Sequence, residues 1–335
     1  MRFFLFILLL AALAGAGVLF LLRVPAGPKT AQIVRIAPGL SVFKIGAQLQ
    51  EEGIIRSRIA FALWARKEHG TLKAGAYLFD HPAPMTEVYD RMRRGDVYTL
   101  ALTIPEGYNI FDIAQAVERA GISKGQDFLA AEQQDTDLIR DLDPTAPSLE
   151  GYLFPDTYHL TPDTAPREIL STMVRRFRAE TAGLGLMANL HNVVTLASLV
   201  ERETPVSEDR PLIAGVFVHR LKMKMPLDTD PSVIYAALLE KRYRGTIYES
   251  DLKADSSYNT YVHTGLPPGP ICNPGIPSLR AALQPTSTDD LYFVSDPLHP
   301  GHSRFAATLK EHQKNVVAYR NEERQAAAGN QASGK

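Results

Sequence analysis

Residues 36–54, IAPGLSVFKIGAQLQEEGI, align without a gap to residues 104–122, IPEGYNIFDIAQAVERAGI, at an offset of 68 residues. A repeated stretch is expected to fold the same way twice, so this match constrains the first half of the chain. Ile36/Ile104, Gly39/Gly107, Phe43/Phe111, Ile45/Ile113, Gly53/Gly121 and Ile54/Ile122 are identical, and Val42/Ile110 and Leu49/Val117 are conservative. Each copy continues into a second helical pattern, with Phe61 and Phe128 near its start. Each then reaches a matching closing segment, Gly75-Ala-Tyr-Leu-Phe79 and Gly151-Tyr-Leu-Phe154. The unit reads strand, turn, helix, helix, strand. A glycine after the first strand suits a tight turn, and one after the first helix suits a C-cap. Residues 31–99 and 101–158 are therefore expected to share one local topology.

Ahead of the repeat stands FFLFILLLAALAGAGVLFLL, residues 3–22, apolar throughout and long enough for a hydrocarbon core of about 30 Å. Ala14-Gly15-Ala16 resembles a signal-peptidase site, but the apolar run continues to Leu22, past a short signal core. An uncleaved single-pass anchor over residues 1–23 is the expectation, followed by a Pro/Gly linker over 24–30. Arg2 precedes the span while Arg23, Lys29 and Arg35 follow it, so charge does not set its orientation. No cysteine stands directly after it, which excludes a lipoprotein anchor. The remainder, with 45% hydrophobic and 22% charged residues overall, has the composition of folded domains rather than disorder. A net charge of −1 without a Lys/Arg block gives no nucleic-acid footprint. The single cysteine, Cys272, excludes an internal disulfide framework and reads as a bland, partly buried thiol.

The acidic residue placed to carry chemistry is Glu201, in LHNVVTLASLVERETP. Leu190, Val194 and Ala197 precede it at i−11, i−7 and i−4, so Glu201 continues the apolar stripe of a helix. Thr204 precedes Pro205, which ends that helix. In its last turn the carboxyl meets both desolvation and the negative end of the helix dipole, and both favour the neutral acid that a general acid must be. On that reading Glu201→Gln keeps or raises stability. The competing reading pairs a buried Glu201 with Arg220 or Arg202 for structural reasons, and spacing alone leaves both open.

Asp163 is expected to open a helix over roughly 165–182. Ser207 resembles an N-cap for a helix running to about Lys224, with Pro211 tolerated near its start. Residues 255–277 are loop-rich, the kind of segment that carries function. Residues 291–294 read as a buried strand and 308–320 as a short helix. Residues 321–335 read as a disordered tail.

Nine histidines show no HExxH or other close ligand pair, so no metal is expected. No nucleophile elbow, P-loop or dinucleotide fingerprint occurs, and no cofactor is expected. Asp228, Thr229 and Asp230 stand before Pro231 on backbone expected to be extended. Tyr258, Asn259 and Tyr261 add amide and phenol groups with flat apolar faces. Singly each reads as a turn or cap; together with a dry glutamate they point to a carbohydrate-cleaving site.

LASLVERET, AGVFVHRL, LDTDPSVIY, YNTY, TGLPPGPICNPG and LYFV, in this order and spacing, resemble the MltG (YceG-like) family of membrane-anchored endolytic murein transglycosylases. IPEGYN, EGYLFPDTY and the downstream GH and EH extend the resemblance over nearly the whole chain. Asp228 stands where a glutamine is usual, and Ala236 where a glycine is usual. The resemblance implies an α+β protein: a transmembrane helix, LysM-like modules at 31–99 and 100–160, and a mixed α/β catalytic domain at 161–320. It implies Glu201 as the catalytic residue. Implied substrate contacts are Glu150, Tyr152, Asp156, Arg220, Asp228, Thr229, Asp230, Tyr235, Tyr258, Asn259, Tyr261, Pro267 and Pro268. It implies cleavage of the β-1,4 bond between N-acetylmuramic acid and N-acetylglucosamine in nascent strands to leave 1,6-anhydromuramyl ends, ending glycan elongation. The implied partners are peptidoglycan strands, the inner membrane and peptidoglycan synthases, with the catalytic domain facing the periplasm. Two other readings stay open: a non-catalytic peptidoglycan-binding scaffold, and a glycan hydrolase using Asp228 or Asp230 as a second carboxylate.

Overall fold

A computed structural model describes residues 2–162, 164–185 and 189–333. The chain divides into two compact units, Met1–Ala101 with His159–Asp163, and Leu102–Tyr158 with Thr164–Lys335. The first unit begins with helix α1 (Arg2–Arg23), long and apolar enough to cross a membrane, its side chains exposed along most of its length. After it come β1 (Gln32–Ile36), α2 (Val42–Glu51), α3 (Arg58–Glu68), β2 (Gly75–Phe79) and α4 (Met85–Arg94). Ser41 and Ser57 cap α2 and α3, accepting from the N–H groups of Lys44 and Ala60. β1 and β2 pair antiparallel from Gln32↔Phe79 to Ile36↔Gly75. Val34, Leu49, Phe61, Tyr77, Val88 and Met92 fill the core beneath them. Helix α4, which was not anticipated from the sequence, buries Met85, Val88, Tyr89 and Met92 at i, i+3, i+4 and i+7.

The second copy runs β3 (Leu100–Thr103), α5 (Ile110–Arg119), α6 (Gly125–Gln134), a 3-10 turn at Thr136–Leu138 and β4 (Thr157–Leu160), with β3 and β4 paired. The two copies thus share the order strand, helix, helix, strand. The matched glycines share their backbone conformation: φ is 77° at Gly39 and 80° at Gly107, 72° at Gly53 and 69° at Gly121. All four adopt the left-handed geometry that glycine tolerates without strain. The closing strand of the second copy is not Gly151–Phe154 but Thr157–Leu160. Gly151 sits at φ 89°, and the N–H groups of Gly151 and Leu153 donate to the Asn273 side chain instead of to a strand.

The rest of the second unit is mostly helical: α7 (Pro166–Thr181), α8 (Leu190–Glu203), α9 (Arg210–Lys222), α10 (Asp230–Leu239), α11 (Glu249–Leu252) and α12 (Ile276–Leu283). The hairpin β5 (Tyr292–Ser295) and β6 (Ser303–Ala306) and helix α13 (Leu309–Ser333) close it. Helix α8 packs against α9, α10 and α12 and buries Val194, Ala197, Leu199 and Val200 completely. It ends at Glu203, with Thr204 extended before Pro205, as the proline requires. Several expectations are corrected. Helix α9 starts at Arg210, not after Ser207, and Asp209 precedes it while accepting from Ser303 N–H and pairing with His302. Strand β5 is half-buried rather than buried. Helix α13 continues to Ser333, through the stretch read as a disordered tail; Glu, Arg, Gln and Ala there are good helix formers. Asp163, expected to open α7, lies outside the described residues.

Candidate active site

Glu201 lies in the last turn of α8 with only 5% of its side chain exposed. Its Oε1 accepts a hydrogen bond from Arg210 Nη2 at 2.9 Å, and its Oε2 accepts from the Gly275 backbone N–H at 3.0 Å. Gly275 is the N-cap residue of α12, so the positive end of that helix faces the carboxylate. The unfavourable end of α8 and the favourable end of α12 therefore act on one group. The partner is Arg210, neither Arg220 nor Arg202: Arg202 points out and donates to the Gly107 carbonyl, and Arg220 lies with Asp228.

A second carboxyl group joins them. Glu106 Oε2 stands 3.6 Å from Arg210 Nη1, while Glu106 packs directly over Gly275, where any Cβ would overlap its carboxyl group. Gly275 is thus pinned by one glutamate at its N–H and covered by another. Burial, then the charge of Glu201, push the Glu106 carboxyl up from its ordinary value against the pull of Arg210. Arg210 is 4% exposed, and its Nε and Nη1 have no hydrogen-bond partner. Buried donors left unmade are costly, so two glutamates compete for one underused guanidinium.

Asn273 builds the wall behind this cluster. Its Oδ1 accepts from the Gly151 and Leu153 N–H groups, and its Nδ2 donates to the Tyr108 carbonyl and to Glu150 Oε1. Glu150 is 1% exposed, also accepts from the Ile110 N–H, and burial drives its carboxyl well up. Ser198 ties the same loop to α8 by accepting from the Ile271 N–H, and Cys272 donates to the Ser198 carbonyl. Burial pushes the Cys272 thiol well up, which makes it a packing residue.

A separate cavity of about 400 Å³ opens beside Arg220, Asp228, Asp230, Tyr261, Tyr292 and Glu203, and its lining does not include Glu201. Arg220 donates to the carbonyls of Leu291, Pro226 and Leu227 and to Asp228 Oδ2, with its guanidinium over the Tyr292 ring. Tyr261 donates to Asp230 Oδ1 at 2.7 Å. Burial, then the charge of Asp230, push Glu203 up to about 7.

The model of the YceG-like family matches residues 34–318. The chain belongs to the YceG-like family. It is 36% identical over 314 residues to an endolytic murein transglycosylase of Bacillus subtilis (strain 168), covering 87% of this chain and 85% of that one. It is 31% identical over 338 residues to an endolytic murein transglycosylase of Streptococcus pneumoniae (strain ATCC BAA-255 / R6), covering 90% of this chain and 60% of that one. A crystal structure of a YceG-like protein from Listeria monocytogenes superposes with a TM-score of 0.58 at 31% identity, covering 86% of this chain and 99% of that one.

Within this YceG-like chain, the residues expected to contact substrate separate into two sets. Arg220, Asp228, Asp230 and Tyr261 meet around the cavity, and Asp156, Tyr258 and Pro268 are at least partly accessible elsewhere. Asp156 pairs with Arg176. Glu150, Tyr152, Thr229, Tyr235, Asn259 and Pro267 are buried, and the partners of five of them are internal. Tyr152 donates to Asp143, and the Thr229 N–H donates to Thr260. Tyr235 packs on Tyr258 and Phe111. Asn259 holds the carbonyls of Asp251, Leu252 and Ala254. The backbone at Asp228 is left-handed, φ 52°, rather than extended, which a short polar side chain tolerates. Sequence reasoning missed Glu106, Arg210 and Gly275 as one cluster. Glu106 and Gly275 do fall inside the IPEGYN and CNPG motifs, but nothing local marks Arg210.

Proposed function

We propose that this chain is an endolytic murein transglycosylase with Glu201 as its catalytic residue. The observation that carries the reading is a buried carboxyl held between the Arg210 guanidinium and the N-terminus of α12, in the last turn of a helix packed into the core. The protonated Glu201 gives its proton to the glycosidic oxygen as the bond to muramyl C1 breaks. The muramyl C6 oxygen then attacks C1, and its hydroxyl proton passes to the Glu201 carboxylate. The products are a 1,6-anhydromuramyl end and a free GlcNAc 4-hydroxyl, with the acid form restored and no water consumed. Neither a metal nor a cofactor enters these steps.

The rest of the reading follows the same logic. Residues 1–23 anchor the chain in the inner membrane, 24–30 link, 31–99 and 100–160 form LysM-like glycan-associated modules, and 161–320 form the catalytic domain facing the periplasm. Arg220, Asp228, Asp230 and Tyr261 are proposed to bind saccharide. Acting on nascent strands beside peptidoglycan synthases, the enzyme would end their elongation. A second reading, a glycan hydrolase, is favoured by one observation: Glu106 sets a second carboxyl beside Glu201, a better candidate than Asp228 or Asp230, which are bound to Arg220 and Tyr261. Digestion of purified glycan strands in ¹⁸O-water, read by mass spectrometry, decides the matter. Unlabelled anhydro ends support the transglycosylase, labelled reducing ends the hydrolase, and no cleavage a binding scaffold.

A further inference from the structure

Helix α3 has two apolar faces where a helix on a small domain ordinarily has one. Phe61 and Ala65 point into the core of the first unit. Ile59 and Leu63 are 60% and 63% exposed, and with Trp64 they line an apolar groove of about 510 Å³ whose opposite wall is Val18, Leu21 and Leu22 of α1. The groove therefore sits at the last turns of the membrane-length helix, the level at which a spanning segment leaves the hydrocarbon. The junction is tied. Arg56 donates to the Val24 and Pro25 carbonyls at 2.6 and 2.7 Å with its guanidinium over the Phe20 ring, and Ala26 bridges to Ala83. These contacts hold the start of the Pro/Gly stretch against the module.

We propose that the first strand–helix–helix–strand module lies on the bilayer surface, with Ile59, Leu63 and Trp64 of α3 seated in the headgroup region beside the exit of α1. The occupant of the groove is lipid, because the groove is continuous with the surface of the spanning helix. Its rim also carries the charge an anionic surface attracts. Arg58, Arg66 and Lys67 lie on α3 against one acid, Glu68, and Lys67 and Arg58 stack over Trp64 and Phe43. Tryptophan with flanking cations is the side-chain mixture that settles at a membrane interface. The consequence for function is geometric: the module is held at the membrane, which restricts the height at which the chain meets glycan. The inference rests on α1 remaining as an anchor.

Trp64 is the only tryptophan of the chain, so its fluorescence reports this face alone. The full-length protein is reconstituted in vesicles of equal parts phosphatidylcholine and phosphatidylglycerol, with phosphatidylcholine brominated near the glycerol end of its acyl chains as quencher. Trp64 is expected to lose most of its emission. The double substitution Ile59→Asp with Leu63→Asp is expected to restore it, while the protein stays in the membrane after alkaline carbonate extraction. Retention in the membrane with unquenched wild-type Trp64 overturns the inference and leaves the anchor intact. Loss of the chain on carbonate extraction overturns both. Trp64 shielded from bromine and cross-linked to a second copy assigns the groove to self-association and also overturns the inference.

Discussion

Glu201→Gln is the most informative substitution. From the sequence it was expected to hold or raise stability, because a carboxylate on an apolar face would be relieved of desolvation. The Arg210 pair reverses that sign. Both side chains are 5% exposed, and Arg210 already has two donors without hydrogen-bond partners. Removing the charge leaves the guanidinium buried beside a neutral amide; deleting one partner of a buried pair costs about 3–5 kcal/mol. The amide oxygen still accepts from Nη2, and Glu106 at 3.6 Å offers a second charge. The net cost is therefore about 1–3 kcal/mol, or about 2–12 °C in melting temperature for a unit of this size. Loss of proton transfer lowers turnover by about 10²- to 10⁴-fold. Unfolding does not mimic this at 25 °C: a hundredfold loss requires destabilisation exceeding the whole stability of the fold, about 5–15 kcal/mol, by a further ~2.7 kcal/mol. Thermal melts and release of anhydro ends are measured on one preparation. A Gln variant that cleaves at near wild-type rate refutes the catalytic assignment, and one that melts higher than wild type refutes the ion-pair reasoning.

Glu106, whose carboxyl is pushed up by burial and then by the charge of Glu201, titrates beside the proposed catalytic group, so Glu106→Gln is expected to change the pH profile of kcat/KM with KM little changed. An unmoved pH profile would reduce Glu106 to a packing group over Gly275. Glu203, pushed up to about 7 from 4.5, retains in the fold a proton that the unfolded chain loses. Stability is therefore expected to fall between pH 4.5 and pH 7 by at most about 1.4 kcal/mol per pH unit, and Glu203→Gln to flatten that slope in urea titrations across this window. Cys272, buried and with its thiol pushed up, is expected to resist maleimide until the protein is unfolded. Rapid labelling of the native protein would contradict the packing role.

The sequence by itself determined the features that neighbouring residues enforce. The 3.6-residue stripe from Leu190 and the Thr204-Pro205 step gave α8 and its end. Paired glycines gave the two copies their turns, because positive φ is a property of the residue. The motifs marked Glu201 and, inside IPEGYN and CNPG, held Glu106 and Gly275 without showing that they meet. Only the tertiary structure decided which cation Glu201 faces, since Arg210, Arg202 and Arg220 are equivalent by composition and Arg210 is delivered by the turn between α8 and α9. Only it separated Glu150, a buried carboxyl shared by Ile110 and Asn273, from Asp230 in an open cavity. Backbone preference acts over a few residues, whereas burial and charge pairing are set by segments as far apart as Tyr108 and Asn273. Their approach depends on the packing of the whole unit.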